Sequence, residues 1–227
     1  TGIRSPPDTR LWRRHLRRRE DPEAPPIVPA PRPDRYRDPK PKHVPHYYGI
    51  PVDAPRSHVV FCLDVSQSMY GRGIDTARRE LHDVLVAFPT SYAFDVVAFN
   101  ETVSPFAGEL WPAHPVVKAR VLAWIEELET ISYTNLFDAV ETAFGMGGIG
   151  PRAVTSPRHL DAVYLLSDGA PNRGRIRDED RIVEALAALS RGRVPIHAIA
   201  AGEEVFPLLK RIAGATGGRF VDAFLFD

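Results

Sequence analysis

The amino-acid sequence predicts an α/β fold: a doubly wound, three-layer sandwich around a mostly parallel, six-stranded central sheet with one short antiparallel edge strand. Two observations predict it. Short apolar runs, typical of buried strands, alternate with longer segments whose apolar residues recur at helical spacing. A hydrophobic content of 44% in 227 residues is enough to bury the core that such a sheet requires.

The alternation begins at residue 58. Residues 59–63 form a wholly apolar run bounded by polar residues, which is typical of a buried strand. Apolar residues at helical spacing then predict a helix over residues 74–88. In the rest of the domain, strands are predicted over residues 92–99, 160–166, 194–200 and 219–221, with a short edge strand over residues 101–106. Helices are predicted over residues 115–129, 135–144, 180–189 and 205–213.

The N-terminal quarter of the chain differs from the rest in composition. Residues 1–57 hold 13 of the 22 prolines and 13 Lys or Arg against 7 Asp or Glu, a net charge of +6, which leaves −6 on residues 58–227. Since proline lacks an N–H and favours extended neighbours, we predict a basic, proline-rich arm or linker, or the end of a preceding domain, before a domain over residues 58–227. Tyr47, Tyr48 and Ile50 are apolar enough to dock on that domain.

Oxygen-bearing side chains follow the predicted strands at their carboxyl ends, where ligands bind in open α/β sheets. The candidate metal-binding residues are Asp64, Ser66, Ser68, Thr134 and Asp168. In Asp-x-Ser-x-Ser the alternation points three oxygen side chains the same way. Hydroxyl and carboxylate oxygens are hard donors that suit Mg²⁺, with Mn²⁺ or Ca²⁺ as alternatives. We therefore expect a divalent-metal site at this edge of the sheet.

The order and spacing of these residues also carry a family resemblance. The Asp-x-Ser-x-Ser triplet, then Thr134, then the pair Asp168-Gly169 resemble the metal-ion-dependent adhesion site of von Willebrand factor A domains and integrin inserted domains. The resemblance covers residues 58–221 and implies their Rossmann-like fold. One departure is Ile131-Ser-Tyr-Thr134, where many relatives have glycines before the threonine.

The resemblance implies roles for the five residues. Ser66 and Ser68 would bind the metal directly, and Thr134 would bind it directly in the ligand-competent form. Asp64 and Asp168 would act mostly through water or by holding the serines. The implied function is non-catalytic: a protein partner presents an Asp or Glu carboxylate, which displaces a water from the metal.

Two other functions remain open on the sequence alone. Similar domains serve as accessory subunits of ATP-driven chelatase or remodelling complexes, and since the chain has no Gly-x-x-x-x-Gly-Lys-Ser/Thr motif, an ATPase would be a separate partner or domain. The other is nucleic-acid binding by the basic run at residues 13–19, within a short helix predicted over residues 8–20. A solvated helix face explains that run better, because the run is short and the whole chain is neutral.

Composition also limits where and how the chain works. Cys62 is the single cysteine, so no internal disulfide forms, which favours a reducing, cytoplasmic compartment. The sequence contains no run of about 18 apolar residues, so no membrane span is expected.

Several other motifs are predicted to be without function. Residues 145–150 match Gly-x-Gly-x-x-Gly, but a helix precedes them and Pro151 follows, whereas a dinucleotide site needs a strand before and a helix after. Asp138 is predicted to be a helix-face residue rather than a ligand. A structural zinc site is not expected with one cysteine, and the histidines outside the arm are predicted to be surface or packing residues.

Overall fold

The computed structural model describes residues 44–52, 58–154, 158–202 and 206–223. Its strands are β1 (His46–Tyr47), β2 (Ile50–Pro51), β3 (His58–Asp64), β4 (Ala93–Phe99), β5 (Val103–Pro105), β6 (Trp111–Pro112), β7 (Ala162–Ser167), β8 (Ile196–Ala200) and β9 (Phe220–Asp222). β1 and β2 form a separate hairpin, and the other seven strands form one sheet in the order β5-β4-β3-β7-β8-β9, with β6 also paired to β4. Strands β4, β3, β7, β8 and β9 are parallel.

Helices cover both faces of this sheet. Within the described ranges they are α1 (Arg72–Ala87), α2 (Pro115–Glu126), α3 (Leu136–Met146), α4 (Glu179–Ser190) and α5 (Phe206–Thr216). Because side chains alternate along a strand, Val59, Phe61 and Leu63 of β3 pack with the apolar residues of α1 and α2 on one face. Val60 and Cys62 point the other way and pack with α3, α4 and α5. The predicted doubly wound α/β sandwich is confirmed.

The edge of the sheet differs from the prediction. The sheet has seven strands rather than about six, because two short antiparallel strands pair with β4 instead of one. β5 pairs with the end of β4 at Val97–Phe99, and β6 pairs with its start at Ala93–Phe94. β6 has only two residues, one of them Pro112, so it shows no alternation that the sequence could reveal.

The β1–β2 hairpin packs against the same face as α1 and α2. Its turn has positive φ angles at Tyr48 and Gly49, 47° and 69°, the combination that favours a tight hairpin. Tyr47, Tyr48 and Ile50 are each only 1% exposed, so the predicted docking of these residues is confirmed. The Tyr164 hydroxyl donates to the Pro51 carbonyl over 3.2 Å.

The folded unit therefore includes residues 44–52, N-terminal to the predicted boundary at residue 58. The rest of the predicted arm, with its basic helix over residues 8–20, lies outside the described residues. Among the described helices, none has the length and apolar character needed to cross a membrane.

Candidate metal centre

Two neighbouring parallel strands bring the predicted metal-binding residues to one edge of the sheet. β3 ends at Asp64 and β7 ends at Ser167, and the two strands pair in register up to Leu63 and Leu166. Their carboxyl ends therefore lie side by side, and the loop after β3 meets Asp168, the first residue after β7.

Hydroxyl and carboxylate oxygens from these two loops contact one another directly. The Oγ atoms of Ser66 and Ser68 lie 3.1 Å apart. Both hydroxyls donate to Oδ1 of Asp168, over 3.5 Å from Ser66 and 2.7 Å from Ser68. Asp64 Oδ1 accepts the backbone N–H of Ser66 over 2.8 Å, which fixes the turn that presents the serines. Four of the five predicted residues thus form one hydrogen-bonded group.

Thr134 joins this group across Gly169. A Cβ atom added to Gly169 would lie 3.5 Å from Ser68 Oγ and 3.6 Å from Thr134 Oγ1, so both hydroxyls face the space beside this glycine. The side chain of Asn172 accepts the N–H of Thr134 over 2.8 Å, and the Thr134 carbonyl accepts the N–H groups of Asn172 and Arg173, each over 3.2 Å. The loop after β7 therefore holds Thr134 beside the serines.

The two carboxyl groups of the site sit in an environment that disfavours their charge. Burial raises the pKa of Asp64 to about 7, against the opposing effect of hydrogen bonds from Ser167 and Ser66, and the neighbouring Asp168 adds to the rise. Burial also raises the pKa of Asp168, and its hydrogen bond from Ser68 opposes this. A cation placed between these oxygens would reverse both effects. The donor set and its electrostatics therefore fit a hard divalent cation.

The loop before Thr134 lacks the glycines that many relatives have there, and a tyrosine takes a backbone conformation that glycine usually adopts. Tyr133 itself adopts the left-handed conformation, with φ of 76°, at a cost of about 1–3 kcal/mol for a side chain of this kind. Its ring lies 4.5 Å from the Arg173 guanidinium, which is ion-paired with Glu101. The Ile131 N–H donates to the Val65 carbonyl over 3.0 Å, so this loop is tied to the serine loop.

Sequence reasoning missed the residues that support the site. The Ser167 hydroxyl donates to Asp64 Oδ2, and Asn172 positions Thr134, yet neither belongs to the motif. Gly202 is a third case, because a Cβ atom there would lie only 2.2 Å from the Asp168 carbonyl oxygen. Two signals were available in the sequence: Ser167 directly precedes Asp168, and Asn172 follows Asp168 by four residues in the same loop.

Two other predictions concern α3. Asp138 lies in α3, and its carboxylate is hydrogen-bonded to Arg175 Nε over 3.1 Å and to the side chain of Asn135 over 3.2 Å. The glycine-rich run 145–150 begins at the end of α3, where Gly147 is the C-cap. A helix therefore precedes the run, as predicted.

Comparison with known proteins identifies the domain. The sequence model of the von Willebrand factor type A domain matches residues 57–222. The chain belongs to the von Willebrand factor A family. Domains of this family commonly mediate metal-dependent protein interactions. The resemblance inferred from the motif is thereby confirmed.

The chain is also similar to part of several larger proteins. It is 24% identical over 149 residues to inter-alpha-trypsin inhibitor heavy chain H1 of Bos taurus, covering 65% of this chain and 16% of that protein. It is 27% identical over 158 residues to heavy chain H3 of the same species, covering 69% and 17%. The chain thus spans about a sixth of the length of these curated relatives.

Solved structures show the same fold. A von Willebrand factor type A protein from Catenulispora acidiphila superposes with a TM-score of 0.58 at 20% identity, covering 74% of this chain and 39% of that one. Proximal thread matrix protein 1 from the mussel byssus, whose adhesion motif is occupied by zinc, gives a TM-score of 0.56 at 23% identity, covering 75% and 42%.

Proposed function

We propose that this von Willebrand factor A domain is a non-catalytic, divalent-metal-dependent protein-binding module whose partner supplies an Asp or Glu carboxylate. Ser66, Ser68 and Thr134 would hold the cation through their hydroxyls. Asp64 and Asp168 would act through water or by holding the serines. Mg²⁺ is the expected cation, and Mn²⁺ and Ca²⁺ suit the same oxygen donors.

The main support is the way in which the carboxylates hold the hydroxyls. Asp168 accepts both serine hydroxyls, and Asp64 accepts the Ser66 N–H and the Ser167 hydroxyl. The hydroxyl oxygens keep lone pairs for a cation, while the carboxylates are occupied in fixing them. A cation held mostly by neutral oxygens remains electrophilic and attracts a carboxylate from outside.

The surface around the site suggests the character of the partner. Large apolar side chains flank both loops: Tyr70 is 79% exposed, Ile131 51% and Tyr133 46%. The loops are joined by the Ser132 hydroxyl, which donates to the side chain of Gln67 over 3.1 Å. An acidic residue with apolar neighbours would match this rim, since the apolar contacts add to a bond that a carboxylate alone makes weakly.

The comparisons do not favour the two alternatives, an accessory subunit of an ATP-driven complex and nucleic-acid binding through the arm. A truncation still separates nucleic-acid binding through the arm from the proposal. The truncation should start after residue 43, because residues 44–52 include core side chains. We expect metal-dependent binding to survive the loss of residues 1–43, whereas salt-sensitive binding of nucleic acid would vanish.

Displacement of metal-bound water tests the carboxylate mechanism without a known partner. With Mn²⁺ bound, the protein should enhance water proton relaxation, because the metal keeps exchangeable waters. Acetate should lower this enhancement by displacing one of them, whereas uncharged acetamide at the same concentration should not. If acetate and acetamide have equal effects, the open position does not accept a carboxylate and the proposal fails.

Gly202→Ala should weaken Mn²⁺ binding by about tenfold, because the added Cβ would push the Asp168 backbone away from the serines. Isothermal titration calorimetry measures this. Gly214→Ala is the matched control: no described atom lies within 4 Å of its added Cβ, so it should leave metal affinity unchanged. Equal affinities in the two variants would show that the position of Asp168 does not control the site.

A further inference from the structure

A second group of metal-ligating side chains lies at the amino ends of β3 and β7, opposite to the carboxyl ends that carry the serine site. His58 is the first residue of β3, and His159 and Asp161 directly precede β7. One ligand atom from each of the three lies within 4.8 Å of the other two. Because β3 spans seven residues, this group is about 20 Å from the serine site.

The backbone holds two of these residues in fixed positions. The His58 N–H donates to Asp161 Oδ2 over 2.8 Å, and the Asp161 N–H donates to the His58 carbonyl over 2.8 Å. His159 Nε2 lies 2.9 Å from Asp161 Oδ1, and the two imidazole rings meet edge to face with centroids 4.9 Å apart. The three side chains are therefore gathered before any ligand arrives.

His58 is not explained by packing alone. Its side chain is in the interior, with 8% of the residue exposed, and its Nδ1 atom is buried without a hydrogen-bond partner among the described residues. A buried nitrogen left in this way is destabilising unless something binds it. Burial lowers the pKa of His58, while the Asp161 carboxylate and a backbone hydrogen bond with His159 oppose this effect. The lowered pKa favours the neutral ring. A neutral imidazole is the form that coordinates a metal.

We propose that His58, His159 and Asp161 form a second cation site, which takes Zn²⁺ or a transition metal of similar chemistry. Two imidazoles and one carboxylate are zinc ligands, whereas the all-oxygen donors of the serine site suit Mg²⁺. The ligand atoms must approach to about 3.4 Å from one another around a tetrahedral ion. His159 can supply that movement, because its side chain is 76% exposed. A fourth position would remain for water or a group from a partner.

Zinc titration of the full chain tests this site. The serine site is first disabled with Ser66→Ala and Ser68→Ala, with folding checked by circular dichroism. We expect this background to bind one equivalent of Zn²⁺ at the second site, and His159→Ala or Asp161→Asn to weaken that binding by at least about tenfold. Both substitutions change exposed or partly exposed side chains, so the fold should survive.

His82→Ala is the matched control, because His82 is also an exposed histidine 3.0 Å from an aspartate, Asp83. It should leave zinc affinity unchanged, and in wild type the ring protons of His159 should shift in NMR spectra at one equivalent of Zn²⁺. Unchanged zinc affinity in both His159→Ala and Asp161→Asn would overturn the proposal, as would the loss of all zinc binding in the serine background. Neither result would contradict the function proposed for the serine site.

Discussion

Combined substitution of Ser66→Ala and Ser68→Ala should weaken Mn²⁺ binding at the carboxyl edge of the sheet by at least about 100-fold. Both hydroxyls face Asp168, and the variant removes two of the three oxygens that would contact the cation directly. The domain should remain folded, because the changes are small and lie at the end of the sheet. Isothermal titration calorimetry with Mn²⁺, beside a circular dichroism melt, measures both properties.

Ser132→Ala provides the control for this experiment. Its hydroxyl lies on the same rim, but it donates to the Gln67 side chain rather than to the carboxylates of the site. We expect wild-type Mn²⁺ affinity in this variant. Wild-type affinity in the Ser66 and Ser68 double variant would mean that the cation does not bind through these hydroxyls.

Tyr47→Ala should lower the free energy of unfolding by about 3–5 kcal/mol, because it removes a fully buried ring from the core. The Tyr47 ring meets those of Tyr48 and Phe61 at centroid distances of 5.0 Å and that of Tyr164 at 5.9 Å. Equilibrium urea unfolding measures the change as a lower midpoint with an unchanged slope.

Val44→Ala is the matched control in the same segment, since Val44 is 42% exposed. It should change stability by less than about 0.5 kcal/mol. A cost below about 1 kcal/mol for Tyr47→Ala would contradict the docking of the hairpin.

The sequence predicted the sheet and helices well because their signals are local. β3 contains an unbroken apolar run over residues 59–63, and α1 places its apolar residues at helical spacing. For the five helices predicted after residue 58, each predicted end falls within three residues of the observed end. The hairpin was predicted only as apolar residues that could dock, because prolines and short strands hide its pairing. β6 was missed for the same reason: a two-residue strand containing Pro112 is defined by its partner, not by its own pattern.

For the candidate site, the sequence predicted the motif residues but not the residues that support them. Asp64, Ser66, Ser68 and Asp168 lie at or just after the ends of two strands that the sequence locates, so their convergence could be foreseen, whereas Thr134 precedes a helix. Their supports could not, because Ser167, Asn172 and Gly202 act through distances that only the folded chain sets. The zinc site was missed because His58 and Asp161 are 103 residues apart and meet only through the pairing of β3 with β7.

The proposed function requires that a divalent cation binds through Ser66, Ser68 and Thr134. The most direct test is a crystal structure of the protein grown with Mn²⁺, with the metal located by its anomalous scattering. We predict an anomalous peak within bonding distance of both serine Oγ atoms, with waters or an acidic side chain of another molecule completing the coordination. An empty serine site at millimolar Mn²⁺, or a peak only beside His58 and Asp161, would contradict metal binding through these hydroxyls.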